Sequence, residues 1–367
     1  MERRVRRGPG IWGSRVIPPP LCNERALFGE VEDARVPVTG WIIWDALGVD
    51  EKTAGAVAWL LAAEDAAVRS LTRRDLLGED SAADRAAITT GPWVSALLAG
   101  QQEDGGFGGD AYRKWTGAHW RLVSLAELAA PADDPRVTAT AEHVLAWIVE
   151  DLKYPPRVVD GLPRSHASVH GNALGACTRL GLAGHERTER LAEAIISWQW
   201  PDGGWNCDNR AGGHRSSFHE SLRTAWGLQE YAAATGHPGA REAADRAVEL
   251  FLQHRVFRRG GTGEPINARW LSTPYPSYWH YDVLSALLVI ARADRSTDPR
   301  ASDALDLVEE KRRPDGRWNA QAQWWRAADS KTSPEVVNWG SAGEPNLMVT
   351  LNALHVLAAA GRVSLGQ

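Results

Sequence analysis

QQEDGGF (101–107), QWPDGGW (199–205) and RRPDGRW (312–318) are three variants of one phrase. Each fits Q-x-x-x-G-x-W, with Phe107 in place of Trp in the first and Arg312 in place of Gln in the third. Each follows an amphipathic stretch and precedes a second helical one. A recurrence of this kind marks an array of like units, so positions can be compared from unit to unit.

Outward from these turns, two kinds of helix alternate. Residues 134–151, 186–198 and 239–254 read as amphipathic helices with a charged face. Residues 117–130, 168–182, 217–234, 277–291 and 346–360 are apolar or small nearly all round. A helix apolar on every side is buried, and one with a charged stripe faces water. A further pair near 51–65 and 82–100 brings the buried set to about six. There is no period-two strand pattern. The expected fold is all-α, a single (α/α)6 toroid of inner and outer helices over 39–362, preceded by a partly loose N-terminal arm over 1–38.

Composition narrows the class. A formal charge of −5 gives no general attraction for nucleic acid. Three cysteines, Cys22, Cys177 and Cys207, are too few in 367 residues for a disulfide scaffold, which points to a reducing compartment. No apolar run reaches membrane-spanning length, and the basic start lacks the apolar stretch of a secretory signal. A cytoplasmic protein is expected. The 18 Trp exceed ordinary usage, and those near helix ends (Trp59, Trp147, Trp198) read as packing.

The three turns and their helical context resemble the QW repeats of squalene-hopene-type cyclases, whose α/α toroid is shared by protein prenyltransferase β-subunits. DGGWNCD (202–208), SSFHESL (216–222), YWHYDVL (278–284) and VRSLTRRDLLG (68–78) are similar to bacterial squalene-cyclase-like proteins of undetermined activity. The resemblance covers roughly residue 82 to the end. It implies that Gln101, Gln199, Trp205 and Trp318 are struts tying an outer helix to its neighbour, with the glycine permitting the tight turn. The D-x-D-D acid motif of those cyclases is missing. Asp133–Asp134 instead precedes an outer helix and reads as its cap. The second helical domain of the large cyclases is also missing, which favours a substrate smaller than C30.

Superposing the apolar helices aligns four histidines, His119, His170, His219 and His280, spaced 51, 49 and 61 residues apart. The expectation is a set of imidazoles near one rim, acting as acids or bases, against the alternative that each merely satisfies its own helix terminus. Cations precede them: Arg113 and Lys114, Arg164, Arg215 and Arg269. With the helix N-termini these describe an electropositive mouth for a phosphate, diphosphate or carboxylate. Arg215, Arg269, Tyr278, Trp279 and Trp226 are the expected substrate-binding residues. Asp282 or Asp208 is the expected proton source, with Glu220 a further candidate, since a buried carboxyl can stay protonated.

The leading expectation is a terpene-cyclase-like enzyme, a lyase or isomerase, acting on an apolar substrate of isoprenoid type with an anionic or polar head. It would require no cofactor, or a divalent zinc or iron. A metal-dependent lyase or hydrolase using Cys207, His219 and His280 is the first alternative. A non-catalytic toroid that binds a ligand or partner is the second.

Overall fold

A computed structural model describes residues 48–366. Contacts divide the chain into Met1–Arg35 and Val36–Gln367, and every described residue belongs to the second unit. The N-terminal arm expected over 1–38, Cys22 included, lies outside the described residues. What is described is mostly helical.

Helices α1 (Glu51–Leu61) and α2 (Ala66–Thr72), the latter extended by a π turn at Arg73–Leu77, open the series. Two short pieces follow, α3 (Ala82–Ala87) and α4 (Pro92–Leu98). Buried and half-exposed helices then alternate: α5 (Ala118–Glu127), α6 (Pro135–Asp151), α7 (Ala167–Cys177), α8 (Glu186–Ser197), α9 (Phe218–Thr235) and α10 (Pro238–Gln253). The last three are α11 (Val283–Arg292), α12 (Ser302–Glu310) and α13 (Leu347–Ala359). Their starts follow from local chemistry. Asp134, Ser217, Asp282 and Asn346 are N-caps whose side chains accept a backbone N–H of the first turn. Asp134 is therefore the cap its sequence context suggested.

The apolar helices pack in succession, α5 on α7, α7 on α9, α9 on α11 and α11 on α13, and α13 packs against α1 and α2. Outside them, α6 packs on α8 and α8 on α10. Residues 277–282, expected within the apolar helix 277–291, form its approach loop instead, because Asp282 caps the helix there.

The three related turns dock alike. Gly105, Gly203 and Gly316 all have positive φ, and an added Cβ would strike the backbone of the next half-exposed helix, at Ala139, Arg246 and Lys52 respectively. Gln101 donates to the Arg136 carbonyl (2.7 Å) and Gln199 to the Ala243 carbonyl (2.7 Å). Arg312, in the Gln position, donates to Thr53 Oγ1 on α1. Trp205 and Trp318 are fully buried, and their indole N–H groups donate to the Ile195 and Val308 carbonyls. The third turn thus fastens the end of α12 to the first described helix.

One element was not anticipated. Arg157–Val159 and Leu162–Arg164 pair as a small antiparallel hairpin. Its strands are too short to show alternation, but the Asp160–Gly161 turn, both residues at positive φ, is the D-G signature of a two-residue hairpin.

Candidate functional site

The four aligned histidines do not share one environment. His119 is the second residue of α5 and fully buried, with neither ring nitrogen hydrogen-bonded. Burial, reinforced by His170, pushes its pKa down to about 3. His170 is the fourth residue of α7. Its Nδ1 lies 3.2 Å from the His166 carbonyl, and its Nε2 3.1 Å from Asp151 Oδ2. His219 begins α9 and accepts the Tyr281 N–H on Nδ1 (2.8 Å). His280 lies in the approach to α11, stacked between Trp279 (3.9 Å) and Trp324 (3.8 Å). Burial drives its pKa to about 3 as well. His219 and His280 are neighbours, with ring centroids 6.3 Å apart. Burial thus leaves His119 and His280 as neutral imidazoles near neutrality.

Asp208, named as a possible proton source, is paired with an arginine. Its carboxylate grips the Arg210 guanidinium at 2.6 Å, and that hydrogen bond holds its carboxyl below the usual range, so it stays ionised. Cys207 does not meet His219 and His280. Among the described residues, the one group of three potential metal ligands is His166, Cys207 and Glu220, whose donor atoms all lie within 4.8 Å of one another.

The expected cationic mouth is dispersed. Arg113, Arg215 and Arg269 are exposed. Arg164 is buried, stacked on Trp200 and bonded to the Val159 and Gly213 carbonyls. Lys114 lies over the Trp115 and Trp279 rings. Tyr278 is fully buried, face to face with Trp115 at 3.8 Å, and its hydroxyl donates to Glu335. Of the expected substrate-binding residues, Trp226 lines a cavity among the described helices.

That cavity, about 260 Å³, lies among the buried helices. Leu71, Leu222, Leu284, Leu288, Met348 and Leu351 give it apolar walls. Most of its charged side chains come from the C-terminal parts of the helices; Arg223, in the first half of α9, is the exception. Glu127 ends α5, Arg179 follows α7, Arg292 ends α11, and Arg74 and Asp75 follow α2. Glu230 carries both Arg179 (2.9 Å) and Arg292. Arg74 grips Asp75 at 2.6 Å. Burial, then the neighbouring Arg179, pulls the Arg292 pKa down, and 35% of its side chain stays accessible. With the Arg223–Glu127 pair counted, four guanidiniums (Arg74, Arg179, Arg223, Arg292) meet three carboxylates (Asp75, Glu127, Glu230), which leaves a positive excess of one suited to an anion.

Asp282 is tied to the same cavity. Its carboxylate accepts the Ser285 N–H (2.9 Å) and hydroxyl (2.7 Å). Ser285 Oγ lies 3.2 Å from Ser277 Oγ, which accepts from Arg223 (2.5 Å), itself paired with Glu127. Ser277, Ser285 and Arg223 all line the cavity. Burial pushes the Asp282 carboxyl up to about 6.

The cavity arginines were missed as site residues, although the sequence held a signal. Arg179, Arg223 and Arg292 interrupt otherwise apolar helices, and a charge there needs a partner or a ligand.

No family model matches the chain, and no curated protein matches it. Among solved structures it is similar to a protein from Actinoplanes, at 17% identity over 84% of this chain and 89% of that one, with a TM-score of 0.39. It is also similar to the type II terpene cyclase MstE from Scytonema in its apo form (13% identity, 74% and 96% covered, TM-score 0.26). A variant of that cyclase in complex with merosterolic acid A gives 13%, 73% and 94%, with a TM-score of 0.27. At these TM-scores the likeness carries no argument about activity.

Proposed function

We propose that the described helices form an (α/α)6 toroid and that the protein is a terpene-cyclase-like enzyme using acid/base chemistry on a small apolar substrate, isoprenoid in class, with an anionic head. The toroid reading draws on the succession from α5 to α13, the packing of α13 on α1 and α2, and the docking of the third turn on α1.

The observation that carries the functional reading is the cavity itself: apolar walls with four arginines set against three carboxylates. An apolar chain fits the Leu and Met walls, and a phosphate or carboxylate supplies the charge the arginines lack. A volume of about 260 Å³ is at or below the low end of ligand pockets, roughly 300–1,000 Å³, and favours a short substrate. Asp282 is the proton donor in this reading. A proton passes from its carboxyl through Ser285 Oγ to an alkene carbon; a carbocation forms beside Trp226, and a later proton loss to the Asp282 carboxylate restores the acid. His219 and His280 are left as neutral hydrogen-bonding and stacking groups. No membrane-spanning helix occurs among the described residues.

The test is incubation with geranyl and farnesyl diphosphate, with product analysis and calorimetric binding. The reading expects binding that weakens at least tenfold in Arg292→Gln, and turnover lost in Asp282→Asn with binding kept. Binding no tighter than that of inorganic diphosphate, and unchanged in Arg292→Gln, would overturn it. Binding without turnover would instead favour a ligand-binding toroid.

A further inference from the structure

We propose that His166, Cys207 and Glu220 form a binding site for a zinc-class divalent cation with one coordination position open. The site is distinct from the cavity and does not depend on the reading given for it.

Three segments converge here. His166 is the N-cap residue of α7, Cys207 lies in the loop after the second related turn, and Glu220 is in the first turn of α9. His166 Nδ1 stands 3.7 Å from Glu220 Oε1, and the widest pair of donor atoms is within 4.8 Å. Tetrahedral zinc, with bonds of about 2.0–2.3 Å, places its ligand atoms roughly 3.3–3.7 Å apart. One pair already meets that spacing, and the rest need about 1 Å of contraction. The donor set, one imidazole, one thiol and one carboxylate, is the mixture zinc accepts, and three protein ligands leave the fourth position of a catalytic-type site.

The surroundings point the same way. Glu220 is 7% exposed, and its partners are the Ser168 N–H (2.9 Å), the His166 ring and the Cys207 thiol. Asp151 acts on His166 and Asp208 on Cys207, so further negative charge surrounds the trio. A bound dication would take the thiolate, the thiol proton leaving to solvent, and would give the Glu220 carboxylate a counter-charge. The position is reachable, since the His166 side chain keeps 47% of its surface accessible. His170 steadies the site by hydrogen-bonding the His166 carbonyl.

The experiment is titration of metal-free, full-length protein with Co²⁺, followed by competition with Zn²⁺. One equivalent should bind with a thiolate-to-cobalt charge-transfer band and tetrahedral d–d bands, and Zn²⁺ should erase both. Cys207→Ser should lose the charge-transfer band, while Cys177→Ser should keep it. His166→Ala, at an accessible position that does not threaten folding, should weaken binding beyond the roughly 10–100-fold expected from losing an outer partner. No stoichiometric binding by the wild type would overturn the proposal. So would a band that survives Cys207→Ser, or affinity unchanged in His166→Ala.

Discussion

Arg312 Nη2 donates to Thr53 Oγ1 at 2.7 Å across 259 residues of chain. Thr53 in turn donates to Asp50, whose carboxylate lies 3.5 Å from Arg312. In the first two turns a glutamine amide reaches a backbone carbonyl of the next helix; in the third a guanidinium reaches a hydroxyl. Arg312→Ala should cost about 1–2 kcal/mol, and Arg312→Gln less, because an amide can restore one bond. Urea unfolding of both variants measures the order, and an alanine variant as stable as wild type would show that the contact contributes nothing.

Gly316 meets α1 still more closely. A Cβ there would lie 2.1 Å from the Lys52 carbonyl oxygen, on a backbone with φ of +81°. Both the clash and the left-handed backbone oppose a side chain, so Gly316→Ala should destabilise by about 2–3 kcal/mol. Gly361→Ala is the matched control, also at positive φ but with open space around its Cβ. Thermal melting of the pair separates the cost of contact from that of conformation.

Asp282 sets a pH dependence with a definite sign. Its folded pKa is raised to about 6 from a reference of 3.8, so between those values the folded state holds a proton that the unfolded state has lost. Stability from this group is full below about pH 4 and falls as pH rises to 6, by about 3 kcal/mol in all. Asp282→Asn keeps the cap and removes the titration. Its stability relative to wild type should therefore climb across that window, and a constant difference would show that the carboxyl titrates normally.

His119 works in the opposite direction. Its folded pKa is lowered to about 3, so as pH falls below 6.5 the unfolded state takes up a proton and the folded state does not. Stability is full above 6.5 and declines on acidification, by about 3 kcal/mol at pH 4.5. His119→Leu should flatten that decline in chemical unfolding measured at pH 7 and 4.5.

The turns, the helix alternation and the Asp134 cap were legible because they rest on local spacing. The histidine register was not, because helix starts differ in phase: His119 and His219 are second residues of their helices, His170 is the fourth, and His280 precedes its cap. Attention to loop cations also hid the arginines inside apolar helices. Their significance depends on Glu230, which brings Arg179 and Arg292 together from distant segments. The metal trio was half visible. Cys207 and Glu220 had each been noticed, but nothing in the sequence says that His166 lies between them in space.

The related turns dock on the half-exposed helices, whereas the cavity is lined mostly by side chains of the buried helices, each contributing only a few. Positions that hold the architecture and positions that meet a ligand are therefore separate sets. Wall residues such as Leu284, Leu288 or Met348 can be exchanged one helix at a time to redraw the chamber, with Gln101, Gln199 and Arg312 untouched. Such a scaffold lets the lining of the cavity vary while the docking of the turns stays fixed.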